Sequence, residues 1–126
     1  MKSAYKLMFA LCVGVAIGAA LIEGLHAQAK PPVYVVGEIE VTDPATYKIY
    51  SDGQSMLVPS FGGQFLARGG KTESIAGTPP RPRAVIIRFE SMESVLAWRD
   101  SPRFKELVPP RDRGANFRAY AVEGAN

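Results

Sequence analysis

Four segments of the chain alternate apolar and polar residues with a period of two, the pattern of β-strands that bury one face. In the first of these segments Val33, Val35 and Ile39 share one face, and β-branched residues, which favour strands, are frequent. The predicted strands are Val33 to Val41, Gln64 to Arg68, Arg83 to Phe89 and Asn116 to Val122. Gly69-Gly70 is predicted to break the second strand, with Lys71 to Ile75 as a possible continuation after a bulge or turn.

Apolar residues at helical spacing follow the first and third predicted strands. Asp43 is predicted to cap a helix, and Pro44 suits its first position. The apolar stripe of this helix is formed by Tyr47, Tyr50, Leu57 and Phe61, and Gly62-Gly63 ends it. Ser91 caps a second helix through Asp100, and a further helical turn begins at Ser101-Pro102. Pro109-Pro110 is predicted to break that turn, with one more turn over Arg111 to Ala115.

The order of these elements is β-α-β-β-α-β, which is the ferredoxin-like arrangement of the α+β class. It predicts one antiparallel four-stranded sheet with the helices on one face. The opposite face would expose Val36, Ile86 and Val122 beside two tyrosines and several charged residues. Because exposure of this apolar surface is unfavourable, we expect a second copy of the chain to cover it, with a cavity between the two sheets.

Residues 1–29 have the three-part pattern of a secretory signal peptide. Two lysines near the start precede the uncharged apolar run Leu7 to Ile22, and small residues lead to Ala27-Gln28-Ala29, which suits signal peptidase. The apolar run is shorter than the roughly 20 residues of a membrane-spanning helix. We therefore expect cleavage, a single domain over residues 30–126, and a periplasmic or secreted protein without stable membrane association. The alternative is an uncleaved N-terminal anchor.

Cleavage would remove the only cysteine, Cys12, and the only histidine, His26. The mature domain would then lack the preferred ligands of soft and borderline metals, and a serine nucleophile would lack its usual base. No loop clusters carboxylates as a calcium site does, so we expect no metal and no cofactor. The formal net charge is only +3 and the arginines are spread along the sequence, which argues against nucleic-acid binding.

The spacing of several motifs resembles that of the domain-of-unknown-function 1330 family, within the dimeric α/β-barrel superfamily. The motifs that carry the resemblance are Asp43-Pro44-x-x-Tyr47-x-x-Tyr50, Gly62-Gly63, Arg68-Gly69-Gly70, Val85 to Phe89, Trp98, Ser101-Pro102-x-Phe104-x-x-Leu107 and Arg111. The resemblance implies a ferredoxin-like fold and a homodimer, and related barrels include cofactor-independent monooxygenases and small isomerases. Two positions depart from the family pattern, since Ala76 replaces an acidic residue and Phe104 replaces a tyrosine.

Tyrosines, arginines and one aspartate remain as candidate functional residues. The candidate catalytic residues are Asp43, Tyr47 and Arg68, and the candidate ligand-binding residues are Tyr50, Arg68, Arg88 and Arg111. Asp43 could act as a general base, and arginine binds carboxylates through two parallel hydrogen bonds. The simpler roles are helix capping for Asp43, packing for the tyrosines and a structural ion pair for Arg68. Arg88 is expected opposite Glu38, as a cross-strand pair in the barrel interior.

Two kinds of function are compatible with these residues. The first is an exported homodimer whose inter-sheet cavity holds a small organic molecule, acidic or aromatic. The second is a cofactor-independent isomerase or monooxygenase that acts on a small carbonyl or phenolic substrate. In the second, Arg68 would stabilise developing negative charge and Asp43 or Tyr47 would move a proton. The sequence leaves the choice between them open.

Overall fold

A computed structural model describes residues 30–125, and the signal peptide predicted over residues 1–29 lies outside the described residues. The four strands form one antiparallel sheet in the order β2-β3-β1-β4. The elements are β1 (Val33–Val41), α1 (Pro44–Ser60), β2 (Gln64–Lys71), β3 (Arg83–Phe89), α2 (Met92–Arg99), α3 (Pro102–Gly114) and β4 (Ala115–Glu123). The predicted ferredoxin-like α+β fold is confirmed, with α2 and α3 in the place of the second helix. Within one chain the sheet is open and does not close into a barrel.

The strand register separates the two faces of the sheet. β1 pairs with β3 so that Val35 lies opposite Ile87 and Val36 lies opposite Ile86. Val35 and Ile87 belong to the buried core, whereas the next residues along each strand point to the opposite face. The core joins this face of the sheet to the helices through Val33, Val35, Tyr50, Leu57, Val58, Ile87, Phe89, Val95, Trp98, Phe104 and Leu107. The predicted inward faces of β1 and β3 are thus confirmed.

Local sequence determines both ends of α1. The Asp43 carboxylate accepts hydrogen bonds from Thr46 N at 3.3 Å and Thr46 Oγ1 at 2.7 Å. The first N–H groups of a helix have no partner within the helix, so a carboxylate at this position favours a helix start. At the other end Gly62 has a φ of 78°, the left-handed region that favours glycine. Gly63 approaches Phe89 so closely that a Cβ would lie 2.9 Å from its ring.

Helix α3 runs through Pro109-Pro110, where the sequence predicted a break. A proline inside a helix removes the hydrogen bond to the carbonyl four residues earlier. The two carbonyls concerned belong to Lys105 and Glu106, which are exposed, so water can replace the missing donors. The buried side of α3 packs into the domain through Phe104, Leu107, Pro110 and Gly114. This packing maintains the helix, and the separate turn predicted over residues 111–115 belongs instead to α3 and the start of β4.

Strand β2 continues through Gly69-Gly70, which were predicted to end it, and stops at Lys71. Its register against β3 shifts between Phe65 and Ala67 and again between Arg68 and Gly70. Gly69 accommodates the second shift with a φ of 71°, a conformation that glycine adopts readily. The predicted continuation from Lys71 to Ile75 is therefore wrong, since the strand ends where that segment begins. Arg68 stays within β2, opposite Val85 of β3.

Candidate functional site

Two neighbouring cavities adjoin the face of the sheet that the helices cover, and the larger cavity also reaches Arg118 and Tyr120 of β4. The smaller cavity has a volume of about 240 Å³ and the larger cavity has a volume of about 490 Å³. Cavities of several hundred Å³ hold small organic ligands in many proteins. The residues that line both cavities are Tyr50, Val85, Ile87, Trp98 and Phe117. These side chains therefore form the wall between the two spaces.

The smaller cavity is a different space from the inter-sheet cavity that the sequence predicts, which would need two copies of the chain and stays a prediction. The sequence predicted a ligand cavity between two sheets, on the face away from the helices. Tyr47, Tyr50 and Arg68 instead line the smaller cavity, between the sheet and α1 of a single chain. The reason is the register, because Arg68 lies opposite Val85, on the face of the sheet that the helices cover.

The smaller cavity combines aromatic and aliphatic walls with a few polar side chains. Helix α1 contributes Tyr47, Ser51 and Gln54, while β2 contributes Arg68 and β3 contributes Arg83. The remaining lining residues are Ile39, Tyr50, Phe65, Gly69, Val85, Ile87, Trp98 and Phe117. Within residues 30–125, neither cavity is lined by an aspartate or a glutamate. The positive charge at the smaller cavity is therefore not neutralised by a lining carboxylate.

The guanidinium group of Arg68 is positioned by α1. Its Nη2 donates to the Ser51 carbonyl oxygen at 2.6 Å and lies 3.3 Å from Ser51 Oγ. The guanidinium carbon lies 4.1 Å from the centroid of the Phe65 ring. Among the described residues Arg68 has no carboxylate partner, and the side chain of Arg83, whose backbone pairs within the sheet, makes neither a hydrogen bond nor an ion pair. Both arginines are exposed, so their remaining N–H donors can reach a ligand.

The charges of three arginines act on the Tyr47 hydroxyl. Its backbone packs against Gly114 at the end of α3, where a Cβ would lie only 2.5 Å from Tyr47 N. Burial raises the pKa of the Tyr47 hydroxyl, and the positive charges of Arg68, Arg83 and Arg111 oppose that effect. Because the net shift is upward, Tyr47 is a neutral phenol at pH 7 and can donate a hydrogen bond.

Tyr50 stands between the two cavities, with Arg111 beside it. Burial raises the pKa of Tyr50 to about 12, although the nearby Arg111 charge and the Gln54 amide act in the opposite direction. The Tyr50 ring meets the Phe117 ring edge to face, with centroids 5.7 Å apart. The Arg111 guanidinium lies 4.9 Å from the Phe117 centroid and donates from Nε to Asp112 Oδ1 at 3.0 Å. Arg111 lines the larger cavity and not the smaller one.

Because Tyr50 is a buried phenol, the free energy of unfolding is expected to fall at alkaline pH. An unfolded tyrosine has a pKa near 10, so between about pH 10 and pH 12 the unfolded chain loses this proton while the folded chain keeps it. The contribution of Tyr50 to the free energy of unfolding is fully present below pH 10 and is lost as the pH rises towards 12. The total loss is roughly 2–3 kcal/mol. Urea unfolding at pH 8, 10 and 11 should show a smaller decline in the free energy of unfolding for Tyr50→Phe than for the parent protein. Equal declines in both proteins would contradict the buried phenol.

Residues 32–125 match the profile of the family described as domain of unknown function, DUF1330. The chain belongs to this family. The family description gives no activity. A comparison with functionally curated proteins gives no match.

Several solved structures share the fold of this DUF1330 domain. A protein of unknown function from Rhodopseudomonas palustris is 13% identical, with a TM-score of 0.63 over 85% of this chain and 93% of that chain. The cofactor-independent oxygenase SnoaB from Streptomyces nogalater is 10% identical, with a TM-score of 0.56 over 76% and 95%. A dimeric ferredoxin-like protein of unknown function from Thermobifida fusca is 13% identical, with a TM-score of 0.51 over 75% and 92%. At these identities the likeness shows the fold alone.

Two of the predicted site residues lie outside the cavities of this DUF1330 domain. Asp43 is the exposed cap of α1, where the hydrogen bonds from Thr46 hold the pKa of its carboxyl below the usual value. Arg88 is on the other face of the sheet, where it lies opposite Tyr34 and pairs with Glu90 at 3.4 Å. The structure therefore brings Tyr47, Tyr50 and Arg68 together but separates Asp43 and Arg88 from them.

The predicted pairing of Arg88 with Glu38 is wrong. Glu38 lies opposite Ala84 on β3 and opposite Arg118 on β4. Its carboxylate accepts hydrogen bonds from Arg118 Nε at 2.8 Å and from Arg81 N at 3.0 Å. Glu38 thus ties β4 and the loop before β3 to the centre of the sheet.

Gln54 and Arg83 were missed as site residues. Gln54 occupies a position of the apolar stripe of α1, seven residues after Tyr47 and three before Leu57, and a polar residue in such a stripe was a readable signal. Arg83 opens the third predicted strand, and no local feature distinguished it from the other arginines. Its proximity to Tyr47 depends on strand pairing, which the local pattern does not contain.

The described part of the chain contains no group of three or more potential metal ligands. None of the helices in the same part is long and apolar enough to cross a membrane. The polar side chains that line the smaller cavity belong to arginine, tyrosine, serine and glutamine residues.

Proposed function

We propose that this protein binds a small organic anion in the smaller cavity and acts as an exported homodimer. One observation carries the proposal. Two arginines, Arg68 and Arg83, line the smaller cavity, and no carboxylate among the described residues lines it with them. Unneutralised guanidinium groups beside an apolar space favour a ligand that brings its own negative charge.

The rest of the cavity suits an aromatic or branched body on that anion. Phe65 and Phe117 supply apolar walls, and the Tyr47 and Tyr50 rings lie 5.6 Å apart on α1. Burial of the apolar part of a ligand against such rings contributes favourable free energy, while the charged end stays near the exposed arginines. A small aromatic carboxylate has both features.

Binding is favoured over catalysis because the cavity lacks a base. The raised pKa values of Tyr47 and Tyr50 make both phenols proton donors at neutral pH. Asp43, the predicted general base, caps α1 and does not line the smaller cavity. A proton-abstracting group within reach of substrate is a condition for general base catalysis.

The second candidate function is a cofactor-independent isomerase or oxygenase for a small carbonyl or phenolic substrate. Tyr47 favours it, because a phenol donor among three arginines would stabilise an enolate or phenolate that forms during reaction. The structurally similar protein from Streptomyces nogalater is described as a cofactor-independent oxygenase. In this candidate the substrate would have to lose its first proton to water or to a base of its own.

Titration calorimetry with benzoate tests the binding proposal. We expect benzoate to bind, and its neutral analogue benzamide to bind at least about tenfold more weakly, because only the carboxylate pairs with the guanidinium groups. Arg68→Ala and Arg83→Ala should each weaken benzoate binding by about tenfold. Arg103→Ala is a matched control, since Arg103 is an exposed arginine on α3 that pairs with Glu106.

Two further results decide between the binding proposal and the enzyme candidate. Equal affinities for benzoate and benzamide, or arginine variants that bind benzoate as the parent protein does, would contradict an anion site. Mass spectrometry of phenolic carboxylates incubated with the protein in air would reveal new products if the enzyme candidate is correct.

A further inference from the structure

A third positively charged side chain lies beside the two arginines of the smaller cavity. Lys71 is the last residue of β2 and pairs in register with Arg83, the first residue of β3. Residues directly opposite each other in an antiparallel pair share one face of the sheet, with Cβ atoms about 4.5–5.5 Å apart. Because Arg83 lines the smaller cavity, Lys71 lies at the rim of that cavity. Both side chains are exposed, so a ligand that arrives from solution can reach them.

The charges of Lys71 and Arg83 are not neutralised by the part of the chain that the structure describes. Neither side chain forms an ion pair or a hydrogen bond within residues 30–125. Glu73, the acidic residue nearest to Lys71 in the sequence, makes no ion pair in that range either. Like charges directly opposite each other in a sheet are unfavourable. An anion bound at the rim would therefore relieve a repulsion that the folded chain contains.

The larger cavity shows the opposite arrangement of charge. Each of its three arginines pairs with a carboxylate: Arg99 with Asp100, Arg111 with Asp112 and Arg118 with Glu38. The unpaired positive charge is thus a property of the smaller cavity and its rim.

Three cations exceed what one carboxylate can occupy. Arg68 lies opposite Val85, two residues along β3 from Arg83, which corresponds to roughly 6.6 Å along the strand. The charges of Arg68 and Arg83 both act on the Tyr47 hydroxyl, so both guanidinium groups lie near it. A carboxylate has two oxygens, and these two arginines can occupy both of them. Lys71 then remains without an anionic partner when a monocarboxylate is bound.

We infer that the ligand of the smaller cavity is a dianion, with two carboxylates on neighbouring sides of one small apolar body. One carboxylate would lie between Arg68 and Arg83, and the second would pair with Lys71 at the rim. This inference rests on the proposed function and narrows it from organic anions in general to dicarboxylates. Lys71 is then a residue that determines specificity, because it contributes to binding only when the ligand has a second charge.

The walls of the cavity restrict where the second carboxylate can be. The wall towards the larger cavity consists of uncharged side chains: Tyr50, Val85, Ile87, Trp98 and Phe117. A carboxylate directed at this wall would lose its water without gaining a positively charged partner, which is unfavourable. Both carboxylates must therefore lie on the exposed side. A benzene ring with carboxylates at positions 1 and 3 meets this condition, whereas one with carboxylates at positions 1 and 4 does not.

Calorimetry at pH 7 with benzoate, isophthalate (the 1,3-dicarboxylate) and terephthalate (the 1,4-dicarboxylate) tests the inference. Isophthalate should bind to the full chain on the order of tenfold more tightly than benzoate, and terephthalate should bind no more tightly than benzoate. Lys71→Gln should reduce the preference for isophthalate to about threefold or less, and Lys71→Glu should reverse it, since a negative charge at the rim repels the second carboxylate. Lys105→Gln is the matched control, because Lys105 is an exposed lysine of α3 that lines neither cavity, and it should retain the preference.

The failure of the inference differs from the failure of the proposed function. If none of the three acids binds, the proposed function fails. If benzoate binds and isophthalate binds no more tightly, the inference alone is overturned. The same holds if terephthalate gains as much affinity as isophthalate, which would indicate a general attraction of charge, or if both Lys71 variants keep the full preference.

Discussion

Trp98→Ala is expected to lower the free energy of unfolding by about 3–5 kcal/mol. The indole is 6% exposed, and its ring centroid lies 5.1 Å from that of Phe89 and 4.9 Å from that of Phe104. Removal of the ring would empty the centre of the core between the sheet and both C-terminal helices. It would also take away the donor that pairs with Gln54 Oε1, leaving a second buried polar atom of that amide unpaired.

The size of this effect matters because a single domain is stable by only about 5–15 kcal/mol in total. Urea unfolding followed by circular dichroism is the appropriate measurement, since the chain has one tryptophan and the variant loses its fluorescence. Trp98→Phe should be intermediate, because it keeps most of the ring contacts and loses the hydrogen bond. Arg99→Ala, an exposed change at the next position, should alter stability little. A loss below about 1 kcal/mol for Trp98→Ala would contradict a central role.

Much of this fold could be predicted because its signals are local. Alternation along β1 and β3 depends only on which residues face the core, and burial of Val33, Val35, Ile87 and Phe89 follows that alternation. Helix starts are equally local, since a capping side chain acts on N–H groups two or three residues away, as Asp43 does. The order of the elements then left few compact arrangements.

The errors concern features that depend on distant packing. Pro109-Pro110 has the local pattern of a helix end, but α3 continues because its buried side packs into the core. The partner of Arg88 depends on the register between β1 and β3, and the loop between β2 and β3 allowed more than one register. Gly69 was read as a break, although a glycine in the left-handed region also permits a bulge inside a strand.

The candidate site was predicted in part for the same physical reason. Tyr47 and Tyr50 share the apolar stripe of α1, so their common location was readable from helical spacing. Arg68 reaches that location because β2 runs beside β3 under α1, and the adjacent glycines drew attention to it. Gln54 was overlooked, although it is a polar residue at a buried position of the same stripe. A polar residue at a core position is a stronger sign of function than the apolar residues around it.

The face of the sheet away from the helices has the composition of an interface. A row of four side chains crosses all four strands in register: Ala67, Ile86, Val36 and Tyr120. The next row on one side contains Glu38 and Arg118, and the next row on the other side contains Arg88. Tyr120 is 60% exposed in the single chain. An apolar centre with a charged rim is typical of a surface that a partner covers, and neighbours of this fold are described as dimeric.

Ile86→Lys is therefore expected to convert the proposed homodimer into a monomer at micromolar concentration. Lysine at this position would place an unpaired charge in the middle of the apolar row, and its desolvation on association is strongly unfavourable. We expect the dissociation constant to rise by about a thousandfold, which corresponds to about 4 kcal/mol. Light scattering coupled to size-exclusion chromatography gives the mass of the parent protein and of the variant directly.

Ile75→Lys is the matched control, because it makes the same chemical change at a loop residue that is 98% exposed. Both variants add one positive charge, so a general effect of charge would appear in both, whereas loss of an interface would appear only in Ile86→Lys. Circular dichroism should show folded protein in each case, since Ile86 contributes little to the core on the helix side of the sheet. A parent protein that is already monomeric, or an Ile86→Lys variant that stays dimeric, would show that another surface or no surface joins two copies. Because the smaller cavity lies on the opposite face, an Ile86→Lys monomer should still bind benzoate, so this result separates assembly from ligand binding.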